Sequence, residues 1–175
     1  MAQAGSSLDA WEETVDFGSP GYAETGNAWR SWPFSPAVGG SYRYLSYYEE
    51  GRTRVGAASW SVTIPVDGRY EVLVSFRRTE NRTRDADYHI VDGSGVRHDR
   101  QLDQHATPTR NDLTWVSLGE YSWKTGQTAS VVLDGTDDNQ SDEADAARWV
   151  LVEDLTPGET PASVIPAVLL LLGQR

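Results

Sequence analysis

ASWSVTIPVDGRYEVLVSF, residues 58–76, alternates apolar and polar positions on both sides of a turn, and its reading decides the fold. Trp60, Val62 and Ile64 fall on one face of an extended chain, with Ser59, Ser61 and Thr63 on the other. Tyr70, Val72, Val74 and Phe76 repeat the pattern after the break. Successive side chains of a strand point to opposite faces, so a period of two marks a half-buried β-strand. Between the runs, Pro65–Gly68 supplies a proline that fixes φ and a glycine that admits positive φ, a turn signal. The expectation is a β-hairpin.

Downstream the same grammar continues. DGSG (Asp92–Gly95) reads as the turn of a second hairpin joining ADYHIV to VRHDRQL. LTWVSLGEYSW, a KTG turn, TASVVLD, an acidic loop and ARWVLVE follow. No stretch holds a helical apolar period for three turns, so the class is all-β, an antiparallel β-sandwich or barrel. The length of 175 residues suits one domain. Residues 1–10 read as a flexible lead-in, 11–154 as the sandwich, and 155–175 as a Pro-rich linker with a short hydrophobic C-terminal tail.

The formal net charge of −11 removes the clustered cations that a duplex-binding protein needs, so no nucleic-acid partner is expected. Cysteine is absent, which excludes disulfides, thiol chemistry and Cys-based zinc sites. The opening MAQAGSSLDAWEE has neither a basic nor an apolar leader segment and is read as carrying no secretion signal. The tail VIPAVLLLL is far short of the ~20 residues of a membrane-spanning helix, so no membrane span is expected. It reads as a last strand, the start of a longer segment, or a docking element. In the docking reading, Val164, Ile165, Val168, Leu169, Leu170, Leu171 and Leu172 contact a protein partner or a second copy.

The order TVDFGSPGYAETGNAW, SYRYLS, ASWSVTIPVDGRYEVLVSF, ENRTRDADYHI, LDQ, WVSLGEYSW and EADAARWV resembles the golvesin/xanthan-lyase C-terminal domain, a carbohydrate-binding-like family. The likeness runs from about Thr14 to Glu153. VDFG stands where VDN is usual, and Ala147 and Trp149 replace the Val and Phe of the closing motif. The resemblance implies a jelly-roll-like β-sandwich, found as a non-catalytic accessory module on secreted lyases, amidases and proteases, hence extracellular or at the cell surface.

Alternation assigns Trp115, Tyr121 and Trp123 to one face unless a bulge at Gly119 intervenes, and that face reads as core. Trp60, Tyr70, Phe76, Tyr88 and Trp149 read the same way. Aromatics outside regular alternation are the candidates for a sugar platform, in NAWRSWPFSP and YRYLSYYEEGR, both read as partly loop. Trp29, Trp32, Tyr44, Tyr47 and Tyr48 supply rings, while Arg52 and Arg82 supply donors for hydroxyls or for the carboxylates of an anionic polymer. The bland alternative makes Trp29 and Trp32 an end cover of the sandwich, and FRRTENRTR a solvated loop whose arginines pair with Glu80, Asp85 and Asp87.

A two-residue turn at Gly93–Ser94 would pair His89 with His98 and Asp87 with Arg100; two imidazoles and a carboxylate suit zinc, but the arginine argues against a cation there. No cofactor is required by any motif. The acidic loop Asp134–Asp145 is read as solvated, with a structural calcium on Asp137, Asp138 and Asp142 as the alternative. Asp145 is expected to accept backbone N–H bonds at a turn. Neither a nucleophile elbow, an HExxH helix, a phosphate loop nor a dinucleotide fingerprint is present, so the chain is read as no enzyme. The leading expectation is a module that binds an extracellular polysaccharide or cell-surface glycan. The competing one is a structural or assembly module docked through its tail.

Overall fold

The computed structural model describes residues 11–46, 56–135 and 139–157. Within them lie strands β1 (Glu12–Asp16), β2 (Tyr22–Thr25), β3 (Trp29–Pro33), β4 (Ser41–Leu45), β5 (Ala57–Thr63) and β6 (Gly68–Arg77). Strands β7 (Ala86–Val91), β8 (Arg97–Leu102), β9 (Leu113–Trp123), β10 (Thr128–Asp134), β11 (Asp142–Ala144) and β12 (Ala146–Asp154) complete the set. They form an antiparallel β-sandwich: a sheet β1-β12-β6-β9 faces a sheet β2-β5-β10-β7-β8, and a small sheet β11-β4-β3 closes one end. Among the described residues no helix is long and apolar enough to cross a membrane.

The alternation read from residues 58–76 is right, and the inference of a hairpin is not. β5 pairs with β2 and β10, whereas β6 pairs with β12 and β9, so Ile64–Asp67 carries the chain from one sheet to the other. Two strands with fully apolar inner faces can lie side by side or stack face to face, and alternation is identical in both cases. Here they stack. The corner is pinned to a second crossing between β9 and β10: Ile64 N–H donates to the Gln127 carbonyl (2.9 Å), and Gly126 N–H returns to the Ile64 carbonyl (2.8 Å). Trp60, Tyr88 and Ile90 from one sheet meet Tyr70, Phe76 and Trp149 from the other, all at most 1% exposed.

In β9 a bulge overrides simple alternation. Val72 pairs with Gly119 and Leu73 with Ser117, leaving Leu118 as the extra residue. Gly119 sits at φ +124°, a backbone that only glycine adopts without strain. The bulge keeps Leu118, Tyr121 and Trp123 inside. It also turns Trp115 out of the core, onto the outer face, with the Arg148 guanidinium 4.2 Å above its ring.

The β7–β8 hairpin forms, but its loop has three residues, Gly93–Gly95, with Gly95 at φ +87° and Gly95 N–H donating to the Asp92 carbonyl (2.9 Å). One extra loop residue slips the register by one. His89 therefore faces Asp99 and His98 faces Ile90, so the two imidazoles do not meet. Asp87 pairs with Gln101, not Arg100.

Candidate functional site

The segments read as partly loop are strands: β3 and β4 pair from Trp29↔Leu45 to Pro33↔Ser41, and β11 joins them through Glu143↔Tyr44. Register decides which rings can serve. Trp29 shares the inner face with Leu45, is 5% exposed, and donates its indole N–H to the Thr25 carbonyl (2.8 Å). It is core, which removes it from the platform. Trp32 lies opposite Tyr42 on the other face and is 52% exposed.

That second face carries Trp32, Tyr42, Tyr44 and Glu143, and Arg82 lies across it. The Arg82 guanidinium sits 5.6 Å from the Tyr42 ring centre and 5.2 Å from that of Tyr44. It donates from Nε to Glu143 Oε2 (2.8 Å), from Nη2 to Tyr42 Oη (3.1 Å) and from Nη1 to Asn81 Oδ1 (2.9 Å). Arg82 is 4% exposed, so the expected solvated arginine loop is instead an anchor: a planar fork satisfied on three sides.

Glu143 has no solvent exposure and accepts a second hydrogen bond from the Arg77 backbone N–H (2.7 Å). Burial pushes its carboxyl up to about 7, while Arg82 and Arg77 pull it back down. Gln104, also fully buried, receives Glu143 N–H on its side-chain oxygen (2.7 Å) and donates to the Glu143 carbonyl (2.9 Å) and Tyr88 Oη (3.0 Å). Arg77 stacks 4.4 Å over Phe34, with donors committed to the Arg110 carbonyl and Asn111 Oδ1.

These groups enclose a pocket of about 300 Å³, lined among others by Trp32, Tyr44, Arg77, Arg82, Thr109 and Ser141. Ser141 Oγ is buried with no hydrogen-bond partner among the described residues. Arg82 also lines a neighbouring hollow of about 470 Å³ with Arg84, Asp85, Glu80, His105 and Gln140, and so stands between the two. The arrangement offers one exposed indole face, a half-buried tyrosine, and hydroxyl, amide and guanidinium groups converging beside them.

Of the residues singled out from sequence, Trp32, Tyr44 and Arg82 come together here. Tyr47, Tyr48, Arg52, Asp137, Asp138 and the tail residues from Val164 to Leu172 lie outside the described residues. Asp142 is fully buried in β11 and not in a solvated loop. Among the described residues no group of three or more His, Asp or Glu side chains converges as a metal site. His89 pairs with Asp134 (3.0 Å), His98 with Asp92 (2.8 Å), and His105 faces Arg84 (3.2 Å), each at a separate place. Asp145 bonds mainly to a side chain, Ser75 Oγ–H (2.5 Å), with Val38 N–H at 3.5 Å. Ser141 was missed, Arg77 was read only within the solvated FRRTENRTR loop, and Glu143 only as part of the acidic loop and not as a buried partner of Arg82. The signal for the last was the alanine-rich EADAA run, whose small residues mark a packed strand.

Two facing antiparallel sheets, with a small sheet closing one end, make this a β-sandwich. The model of the Golvesin C-terminal domain matches residues 14–151, and the chain belongs to that family. Among solved structures it is similar to a Paenibacillus xanthan lyase (21% identity, TM-score 0.67), over 81% of this chain and 13% of the lyase. It is also similar to a family 35 carbohydrate-binding module from Clostridium thermocellum (16% identity, TM-score 0.55), over 78% of this chain and 97% of that one. A CBM35 from Cellvibrio japonicus Abf62 gives 12% identity and a TM-score of 0.57, over 81% and 93%. No curated protein sequence matches the chain.

Proposed function

We propose that the chain is a non-catalytic module that holds an extracellular polysaccharide or cell-surface glycan in the pocket headed by Trp32. The observation that carries this reading is the exposed indole standing beside an immobilised Arg82 and an unpartnered Ser141 hydroxyl. An indole presents a flat apolar surface to the C–H face of a pyranose, and convergent donors fix the hydroxyls around it. Catalysis would need a pair of carboxyls set apart to flank a glycosidic bond; no carboxyl lines the pocket beside Trp32, and Glu143 lies behind it, paired with Arg82. The likeness to free-standing carbohydrate-binding modules supports the same reading.

The test is titration of tryptophan fluorescence and heat against neutral and acidic polysaccharides. Saturable binding to one class is expected, weakened at least tenfold by Trp32→Ala, with an unchanged far-UV spectrum. Silence across the panel, together with self-association that disappears when residues 156–175 are removed, would overturn this reading in favour of an assembly module.

A further inference from the structure

We infer that the apolar run at residues 164–172 docks, within its own chain, on the end of the sandwich opposite Trp32, over a pocket walled by Trp123 and Leu155. The inference is independent of the sugar reading. Five large apolar side chains are exposed among the described residues, and four of them, Val91, Val96, Val152 and Leu155, lie at this end. Val91 closes β7, Val96 precedes β8, Val152 lies near the end of β12, and Leu155 just past it. The strand register brings these points together. Val91 pairs with Ser130 near the start of β10, and Gly68, at the start of β6, pairs with both Trp123 and Asp154. The fifth exposed side chain, Trp32, lines the pocket with Arg77, at the other end of β6.

The pocket holds about 530 Å³ and is lined by Gly93, Trp123 and Leu155 together with Asp67, Asp92 and Lys124. Its walls are fixed by hydrogen bonds between turns. Gly93 N–H donates to the Ser122 carbonyl (2.9 Å), Gln127 Nε2 to the Gly93 carbonyl (3.0 Å), and Leu155 N–H to the Asp67 carbonyl (2.7 Å). A preformed wall needs little ordering when something docks on it. Apolar side chains gathered in one exposed patch mark a contact surface. The sequence supplies the occupant: VIPAVLLLL carries no charge, and it needs cover from water as much as the patch does. Leu155 stands two residues before Pro157, the last described residue, and the six residues 158–163 lead from there to the run. Fully extended, such a link spans only about 20 Å. Pro157 and Gly158 form a turn dipeptide, which suits a chain that doubles back over Leu155. So short a tether holds the run at an effective concentration in the millimolar range, which favours its own pocket over that of a second copy. Charge agrees: the two pocket acids outnumber the one lysine, the run has no acid for them to repel, and the next charged residue after it is Arg175.

Elastase, which cuts after aliphatic residues, tests the docking on the full chain, with cleavage inside the run followed by mass spectrometry. The double variant Val96→Asp/Leu155→Asp changes two exposed positions and is checked for native near-UV dichroism. It should be cut in the run about tenfold faster than wild type, because a docked segment is cleaved only when it opens. Trp32→Ala, at the opposite end, should be cut at the wild-type rate. The wild-type rate should also hold over about a hundredfold dilution, since a tethered segment docks independently of concentration. Cleavage of wild type as fast as the double variant would overturn the inference, whether both are cut quickly or both are protected. So would protection that Trp32→Ala removes, which places the run at the other end, or protection lost on dilution, which makes it a contact between copies.

Discussion

Glu143 and Asp145 stand two residues apart, both without solvent exposure, in opposite electrostatic settings. Glu143 faces the β3–β4 sheet, where Arg82 meets one oxygen and a backbone N–H meets the other. Asp145 reaches the outer face of β6, where a serine hydroxyl meets one oxygen and the other is bare. The first acid is part of a closed network, and its partner arginine lines the pocket beside Trp32. The second is incomplete as the chain's own atoms leave it. The fold neutralises one buried acid with its own arginine and leaves one oxygen of its neighbour bare.

The largest effect expected from breaking this contrast is at Arg82. Arg82→Met leaves Glu143 buried beside an apolar chain, and removal of one partner of a buried pair costs about 3–5 kcal/mol. Urea denaturation measures it, and the double variant Arg82→Met/Glu143→Met should recover most of the loss. A cost under about 1 kcal/mol would mean that Glu143 does not depend on Arg82, and the contrast with Asp145 would fail. Next comes Gln104→Ala, which strips partners from both backbone groups of Glu143 and from Tyr88 Oη. Leaving such groups unsatisfied costs about 1–3 kcal/mol, read as a shifted denaturation midpoint at unchanged slope.

Much of the scaffold behind this contrast was legible in the sequence, because inward rows such as Trp60/Val62/Ile64 and Tyr70/Val72/Val74/Phe76 obey a local rule. Partnership was not legible. The same alternation serves a hairpin and a pair of stacked sheets, and the link Ile64–Asp67 allows both. Two single-residue irregularities, the αL glycine Gly95 and the bulge at Leu118, reversed the readings of His98 and Trp115, since one residue flips every side chain that follows. Trp32, Tyr44 and Arg82 were recognisable by residue type. Trp29 was misread because its inward orientation follows only from its register with Leu45. The pairing of Arg82 with Glu143, 61 positions apart, had no local signature at all.

Gly39 sharpens the other half of the comparison. Its φ of +69° strains any residue that carries a Cβ, and a Cβ there would push the Asp16 carboxylate aside. Gly39→Ala should destabilise by about 1–3 kcal/mol through backbone strain alone. The shift of the urea denaturation midpoint measures it. An unchanged midpoint would mean that the turn is not fixed in this conformation.

The smallest effect is expected at Asp145 itself, at pH 8. Asparagine has the same shape as aspartate and keeps an oxygen for the Ser75 hydroxyl. Its amide N–H₂ replaces the bare Oδ1, where it can donate instead of standing as an unpartnered acceptor. The substitution therefore removes an uncompensated charge and loses no hydrogen bond that the structure shows. Asp145→Asn should lie within about 1 kcal/mol of wild type by urea denaturation, on the stabilised side. A loss of more than about 2 kcal/mol would mean that Asp145 already has a compensating partner. The two acids would then be alike.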